Sequence, residues 1–341
     1  MSRTNVPTVT ISQAKTLLRA LGSEHSVLLL SPPGVGKSDA VRQAAEAAGL
    51  PCRSLLGTQI APEDVSGIPR IVGERSVFCP PRVLLPEVAE PFCLFLDELP
   101  ACSPDIQKAF YSLLLERRVG EYELPAGTWV VAAGNRMEDR ALVRPPSSAL
   151  LNRVTVLHVR VDHREWLRWA LSRGVRADVT AFVRAQPASL MRSVPAEPVP
   201  FSTPRSWTAL ARSLTLTDCA GALDRALRRA LAFGSVSPED AELFCAFTEA
   251  QIHELRDPSE YVRRPELLPS ADTALWFALA AVRSALEQGS LEGIPATLVD
   301  RFLRTLPIEH RAVVLVDCVP RWAELGADPA LLATLREVLG P

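Results

Sequence analysis

The stretch Ser31-Pro32-Pro33-Gly34-Val35-Gly36-Lys37-Ser38 decides how the rest of the chain is read. Before it, Ser26-Val27-Leu28-Leu29-Leu30 has the make-up of a short buried strand. After it, Lys37 to Ala48 is a helix-favouring run closed by Gly49 and Pro51. Strand, glycine turn and helix start together form an anion cradle, because backbone N–H groups converge there and the helix dipole favours negative charge. Pro33, Gly34, Val35 and Gly36 would supply the cradle's backbone. Lys37 would reach the β- and γ-phosphates of a nucleotide, and Ser38 would hold Mg2+. The spacing matches G-x-x-x-x-G-K-[ST] except at the first position, where Ser31 replaces glycine and removes some backbone freedom. The alternative is an ordinary Pro/Gly turn that carries a lysine; the flanking strand and helix favour the cradle.

A second chemical signal follows about 60 residues later. Pro91-Phe92-Cys93-Leu94-Phe95-Leu96-Asp97-Glu98 is an apolar run that ends in two carboxylates, the pattern of a central parallel strand opening onto a ligand. In a phosphate-loop site Asp97 would hold Mg2+, directly or through water, and Glu98 would orient and deprotonate the attacking water. A strand that merely stops at two solvated acids is the plainer alternative. A further strand, Thr128 to Ala133, ends at Gly134-Asn135-Arg136, where the Asn135 amide is placed to bond the attacking water or the γ-phosphate. Asparagine is also a common turn residue, so this signal alone is weak.

Composition bounds the rest. The chain has 341 residues, enough for two domains, with 48% hydrophobic and 22% charged content, which fits a globular protein. No apolar run approaches about 20 residues, so no membrane span is expected. The start of the chain lacks the order of a secretion signal. A net charge of −2 without a dense basic block argues against nucleic acid as the main partner. The 7 cysteines are scattered without C-x-x-C spacing, which suggests neither a zinc site nor a disulfide framework and reads as reduced cytoplasmic thiols.

Between the two signals, Arg53 to Leu56 reads as a strand, and residues 58–91 as a loop-rich insertion with a hairpin, being crowded with proline and glycine. Residues 8–21 carry helix-spaced apolar positions. Ser103-Pro104 opens a helix to about Arg118, and residues 119–127 read as a second hairpin. A fifth strand, Val154 to Val159, follows Arg153, whose position alone reads as a surface charge. Beyond Asp162 the chain turns helical, with Trp166 and Trp169 expected in the core. Thr203-Pro204-Arg205 starts a helix with a cation in its first turn, against the dipole; this points to an anionic partner from elsewhere, or to a solvated arginine. Amphipathic runs at 222–231, 241–255, 271–286 and 297–306 complete the chain, and Ser237-Pro238-Glu239-Asp240 is a well-formed helix start.

The ordered signals resemble an AAA+ ATPase of the MoxR-like group. Ser31–Ser38 is similar to Walker A, Phe92–Glu98 to Walker B, and Asn135 falls at sensor 1. Arg153 matches the arginine finger and Pro204-Arg205 sensor 2, while Pro62 to Pro69 is similar to the helix-2 insertion of that group. The resemblance implies an α/β core with a five-stranded parallel sheet in residues 1–160 and an all-helical lid with further helices in 161–341. It also implies ATP and Mg2+ as ligands and a ring, usually a hexamer. In such a ring Glu98, Asn135, Arg153 and Arg205 form the catalytic set, with Arg153 acting on the neighbour's nucleotide and Arg205 closing over its own. A partner with a von Willebrand factor A domain and a remodelled client protein are further implications. The competing readings are a nucleotide-switched scaffold with little turnover and a nucleic-acid motor or loader.

Overall fold

The computed structural model describes residues 6–79, 81–85, 90–119, 122–139, 148–249, 256–287, 291 and 293–315. They group into two compact units, one within Met1–Glu165 with Ser193–Pro198, the other within Trp166–Arg192 with Val199–Pro341.

The first unit begins with β1 (Thr8–Val9), α1 (Ile11–Leu21), β2 (Val27–Leu30), α2 (Lys37–Ala47) and β3 (Cys52–Leu56). The insertion supplies α3 (Pro62–Ser66) and a separate antiparallel hairpin of β4 (Ile68–Val72) and β5 (Arg75–Cys79). There follow β6 (Cys93–Asp97), α4 (Pro104–Ala109), α5 (Tyr111–Glu116), a small hairpin of β7 (Arg118–Val119) and β8 (Tyr122–Glu123), β9 (Trp129–Gly134), α6 (Ser148–Leu151) and β10 (Thr155–Val159). The main sheet is parallel throughout, in the order β1-β10-β2-β9-β6-β3. This is the expected parallel α/β core with one strand more: Thr8–Val9, expected in a helix, is extended and pairs with the end of β10. The helix begins only at Ile11, because Thr10 caps it by accepting from the Gln13 N–H while the Gln13 side chain returns to the Thr10 N–H.

The central strands read as near-continuous apolar runs because helices cover both faces of such a sheet. All six residues of β9 and the first four of β6 are buried. One face packs Leu28, Leu94, Leu96, Val130 and Ala132 against Ile106, Phe110, Leu113 and Leu114. The single helix expected from Ser103 to Arg118 is two: α4 ends at Phe110, and α5 stops at Arg117, whose φ of 55° lies in the left-handed region. The guanidinium of Arg117 offsets that strain by donating to the carbonyls of Gly22 and Thr128, and burial holds its pKa below the usual arginine value. Residues 120 and 121 of the expected second hairpin lie outside the described residues.

The second unit is helical: α7 (His163–Ser172, which spans the division), α8 (Ala177–Ala185), α9 (Pro204–Cys219), α10 (Arg225–Phe233), α11 (Pro238–Glu249), α12 (Pro258–Arg263), α13 (Asp272–Glu287), α14 (Ala296–Thr305) and α15 (Ile308–Leu315). Residues 250–255 of the run expected at 241–255, and Cys318, lie outside the described residues. Phe182, Trp207, Phe244 and Phe247 form an aromatic centre with ring centroids 5.2–5.6 Å apart. A second core gathers Tyr261, Leu279, Val282, Phe302 and Leu303. Trp166 is buried in α7, with Trp169 6.5 Å from it between ring centroids. No helix among the described residues is long and apolar enough to cross a membrane.

A buried acid braces the start of α9. Asp240, 0% exposed, accepts from Arg192 Nε at 2.9 Å and from Ser202 Oγ at 2.6 Å, and Ser202 and Ser237 exchange backbone-to-hydroxyl bonds. The hydrogen bond to Asp240 raises the pKa of Arg192. Asp240→Ala strands the arginine beside buried hydroxyls. It should cost about 3 kcal/mol, the low end for a broken buried pair because Arg192 partly reaches solvent, and appear as a lower denaturation midpoint.

Candidate nucleotide site

The site is built where β2, β9 and β6 end side by side. Leu30 is opposite Gly134 in the β2–β9 pairing, and Leu96 is opposite Ala132 in the β6–β9 pairing, so Ser31, Asn135 and Asp97 leave the sheet at the same edge. Ser31-Pro32-Pro33 then turns through Gly34 and Gly36, whose φ values of 77° and 102° favour glycine, into the first turn of α2. Gly36 is the cap residue and has no side chain to occupy the free N–H groups, which leaves them for an anion.

The cradle lysine is 8% exposed. Its Nζ donates to Ser31 O at 3.2 Å, Ser31 Oγ at 3.0 Å, Pro32 O at 3.2 Å and Asn135 Oδ1 at 3.1 Å. The Ser31 hydroxyl, wholly buried, donates in turn to Pro32 O at 2.8 Å. The residue that departs from the glycine pattern is therefore an acceptor for the lysine as well as a stiffer link. Ser38 Oγ donates to Asp97 Oδ2 at 2.7 Å, joining the start of α2 to the end of β6.

Glu98 continues from β6 in the left-handed region at φ 58°, shared among described non-glycine residues only with Arg117. That turn aims its carboxylate away from the strand, where Thr58 Oγ1 donates to Glu98 Oε2 at 3.1 Å. Close packing behind these strand tips leaves no room for larger residues. A Cβ on Gly134 would overlap the Pro100 ring, and one on Gly57 would overlap the Cys102 sulfur. The Cys102 thiol is pushed up to about 11 by burial, with the nearby Glu98 charge adding to it.

A hydroxyl and a carboxylate in contact form the partial oxygen shell that Mg2+ takes when phosphates and water complete it. Among the described residues no group of three or more His, Cys, Asp or Glu side chains gathers to hold a metal alone, so a cation here would share Ser38 and Asp97 with a phosphate ligand. Free N–H groups at a glycine cap, a buried ammonium and this oxygen pair suit a nucleoside triphosphate with its magnesium.

Of the residues singled out from sequence, Pro33, Gly34, Val35, Gly36, Lys37, Ser38, Asp97, Glu98 and Asn135 come together here. Arg153, just after α6, is half-buried with its guanidinium carbon 5.5 Å from the centre of the Tyr111 ring. Arg205 is exposed in the first turn of α9, in the second unit. That helix start is closed by Thr203 and Ser206, which bond each other's backbone N–H groups at 3.0 and 2.8 Å. Thr58 escaped sequence reading: a threonine in a loop has no local mark, and its meaning comes from β3 pairing with β6.

Residues 26–161 match the family described as the AAA domain of the dynein-related subfamily. No curated protein matches the chain. Among solved structures, a RuvB point mutant from Thermotoga maritima is similar at 14% identity, over 81% of this chain and 80% of that one, with a TM-score of 0.41. A putative ATPase from Cytophaga hutchinsonii is 16% identical over 68% of this chain and 78% of that one, with a TM-score of 0.37. NtrX from Brucella abortus in complex with ADP is 14% identical over 98% and 70%, with a TM-score of 0.44.

Lys37→Ala removes a charge that would sit against phosphate. It should weaken ATP binding by at least about tenfold to a hundredfold, measured by titration calorimetry, with unchanged affinity ruling out the cradle.

Proposed function

We propose that the chain is an ATP-hydrolysing AAA+ protein of the MoxR-like kind. It would work as a ring, usually a hexamer, to remodel or activate a client with a partner that carries a von Willebrand factor A domain, in the cytoplasm. The observation that carries the ATPase reading is the junction of Lys37 with Asn135, Ser38 with Asp97, and Glu98 with Thr58 at one edge of the sheet. In this reading residues 1–160 form the nucleotide-binding core, and residues 161–341 the lid with its further helices.

Each group then has a task. Lys37 moves from neutral oxygens to the phosphates, a stronger acceptor for an ammonium. Ser38 and Asp97 hold Mg2+, which supplies charge neutralisation on the phosphates. Glu98 takes a proton from the attacking water, and Asn135 orients that water or the γ-phosphate. Arg153 reaches the nucleotide of the next subunit, and Arg205 closes the lid over its own. The near-neutral net charge of −2 counts against the competing reading as a nucleic-acid motor.

Glu98→Gln should bind ATP with little change yet lower turnover by about 10²–10⁴, and wild-type turnover would remove the proton-accepting role. Capture on that variant in ATP also tests the partner, since retention of a von Willebrand-type protein supports the chaperone reading and retention of nucleic acid overturns it. Arg153→Ala should lower turnover of the assembled protein by on the order of 10³, with recovery in mixed assemblies that pair it with an intact neighbour. Without such recovery, action across subunits fails.

A further inference from the structure

Cys52 and Cys93 are the first residues of β3 and β6, and they are direct register partners in that parallel pair. Successive residues of a strand alternate faces, so partners in register project to the same face of the sheet, with strands about 4.8 Å apart. That spacing lies within the range a disulfide spans between α-carbons. Both are free thiols. Their surroundings differ. β3 is the outer strand of the sheet and Cys52 is partly exposed, whereas Cys93 is buried one strand inward.

We propose that Cys52 and Cys93 form a thiol–disulfide exchange pair, in which Cys52 reacts with a low-molecular-weight disulfide and Cys93 resolves the product. The Cys52 thiolate attacks one sulfur of the small disulfide, joining to it and releasing the other half as a thiolate. The Cys93 thiol gives up its proton and attacks the Cys52 sulfur. The Cys52–Cys93 bond forms and the second small thiolate leaves, so the protein loses two hydrogens and the small disulfide becomes two thiols.

The division of labour follows from exposure, since a small disulfide reaches the partly exposed Cys52 while Cys93 is covered. The neighbouring Cys93 thiol lowers the Cys52 pKa to about 7, against the effect of burial and with help from the nearby Arg42 charge. The neighbouring Cys52, together with burial, pushes Cys93 upward. The exposed partner is thus the better nucleophile near neutral pH, and the buried one waits as a thiol. The pair needs only β3 and β6, independently of any nucleotide. Its bond would fasten the two strands whose far ends lead to Thr58 and Glu98.

The test is oxidised glutathione added to the reduced full-length protein, followed by alkylation and peptide mapping without reduction. The expected product is a peptide crosslinked between Cys52 and Cys93 that a dithiol reverses, with Cys52 consumed faster than the exposed Cys79 and Cys219. In Cys93→Ala, Cys52 should instead keep one glutathione, and in Cys52→Ala, Cys93 should stay unmodified. Closing a loop of about forty residues should also raise the melting temperature of the oxidised wild type by several degrees, but not that of either variant. A stable glutathione adduct on Cys52 in the wild type, or Cys52 reacting no faster than Cys79, overturns the proposal.

Discussion

Lys37 holds its ammonium between the ends of β2 and β9, two strands that run parallel with Leu30 opposite Gly134. An ammonium has three donors and no acceptor, and at 8% exposure water cannot satisfy it. Ser31, Pro32 and Asn135 do so with neutral oxygens, all delivered by strand ends. Shifting β9 by one residue against β2 would carry Asn135 away from the ammonium and break the contact that ties the two strand ends, so register and site are one constraint. The parallel arrangement matters as well, because every strand tip that bears chemistry then leaves at the same edge.

The same edge is where the backbone is most tightly packed. Gly134 lies against the Pro100 ring and Gly57 against Cys102, so the turns after β9, β3 and β6 close on one another without side chains between them. Glu98 accepts a left-handed backbone within this packing, a conformation that costs a non-glycine residue about 1–2 kcal/mol. Had the chain continued as a strand, the carboxylate would have alternated to a sheet face; the turn instead presents it to Thr58, while the Glu98 N–H donates to Asp97 Oδ1. The strain is confined to one residue because the hydrogen-bonded helical turn at Leu99–Ala101 takes over at once.

What was legible in the sequence was local. Glycines with positive φ, a lysine at a helix start and acids after an apolar run each announce themselves within eight residues, and β2, β3, β6, β9 and β10 fall within a residue or two of their expected places. The first strand was not legible, since two residues of pairing carry no period and the capping box that moves the helix start to Ile11 outweighs the apolar spacing. The pairings of Thr58, Asp240 and Arg192 were not legible for a different reason. Their partners lie 40 and 48 positions away, and only folding brings them into reach. Ser31 is intermediate: its departure from glycine was plain, but its hydroxyl as an acceptor for Lys37 depends on the turn that follows.

Asp240 also bears on the misplaced cation of α9. An acid is favoured in the first turn of its own helix, and here the same carboxylate reaches Ser202, the residue before the Thr203 cap. The segment that leads into α9 is thereby held by a buried ion pair and by two serines that bond each other's backbone. Arg205 follows two residues after the cap, exposed and opposed to the dipole. A helix start made this rigid would need no arginine for its own stability, since Thr203 and Ser206 already complete the cap. The cation is therefore a local cost that the cap of its own helix does not offset.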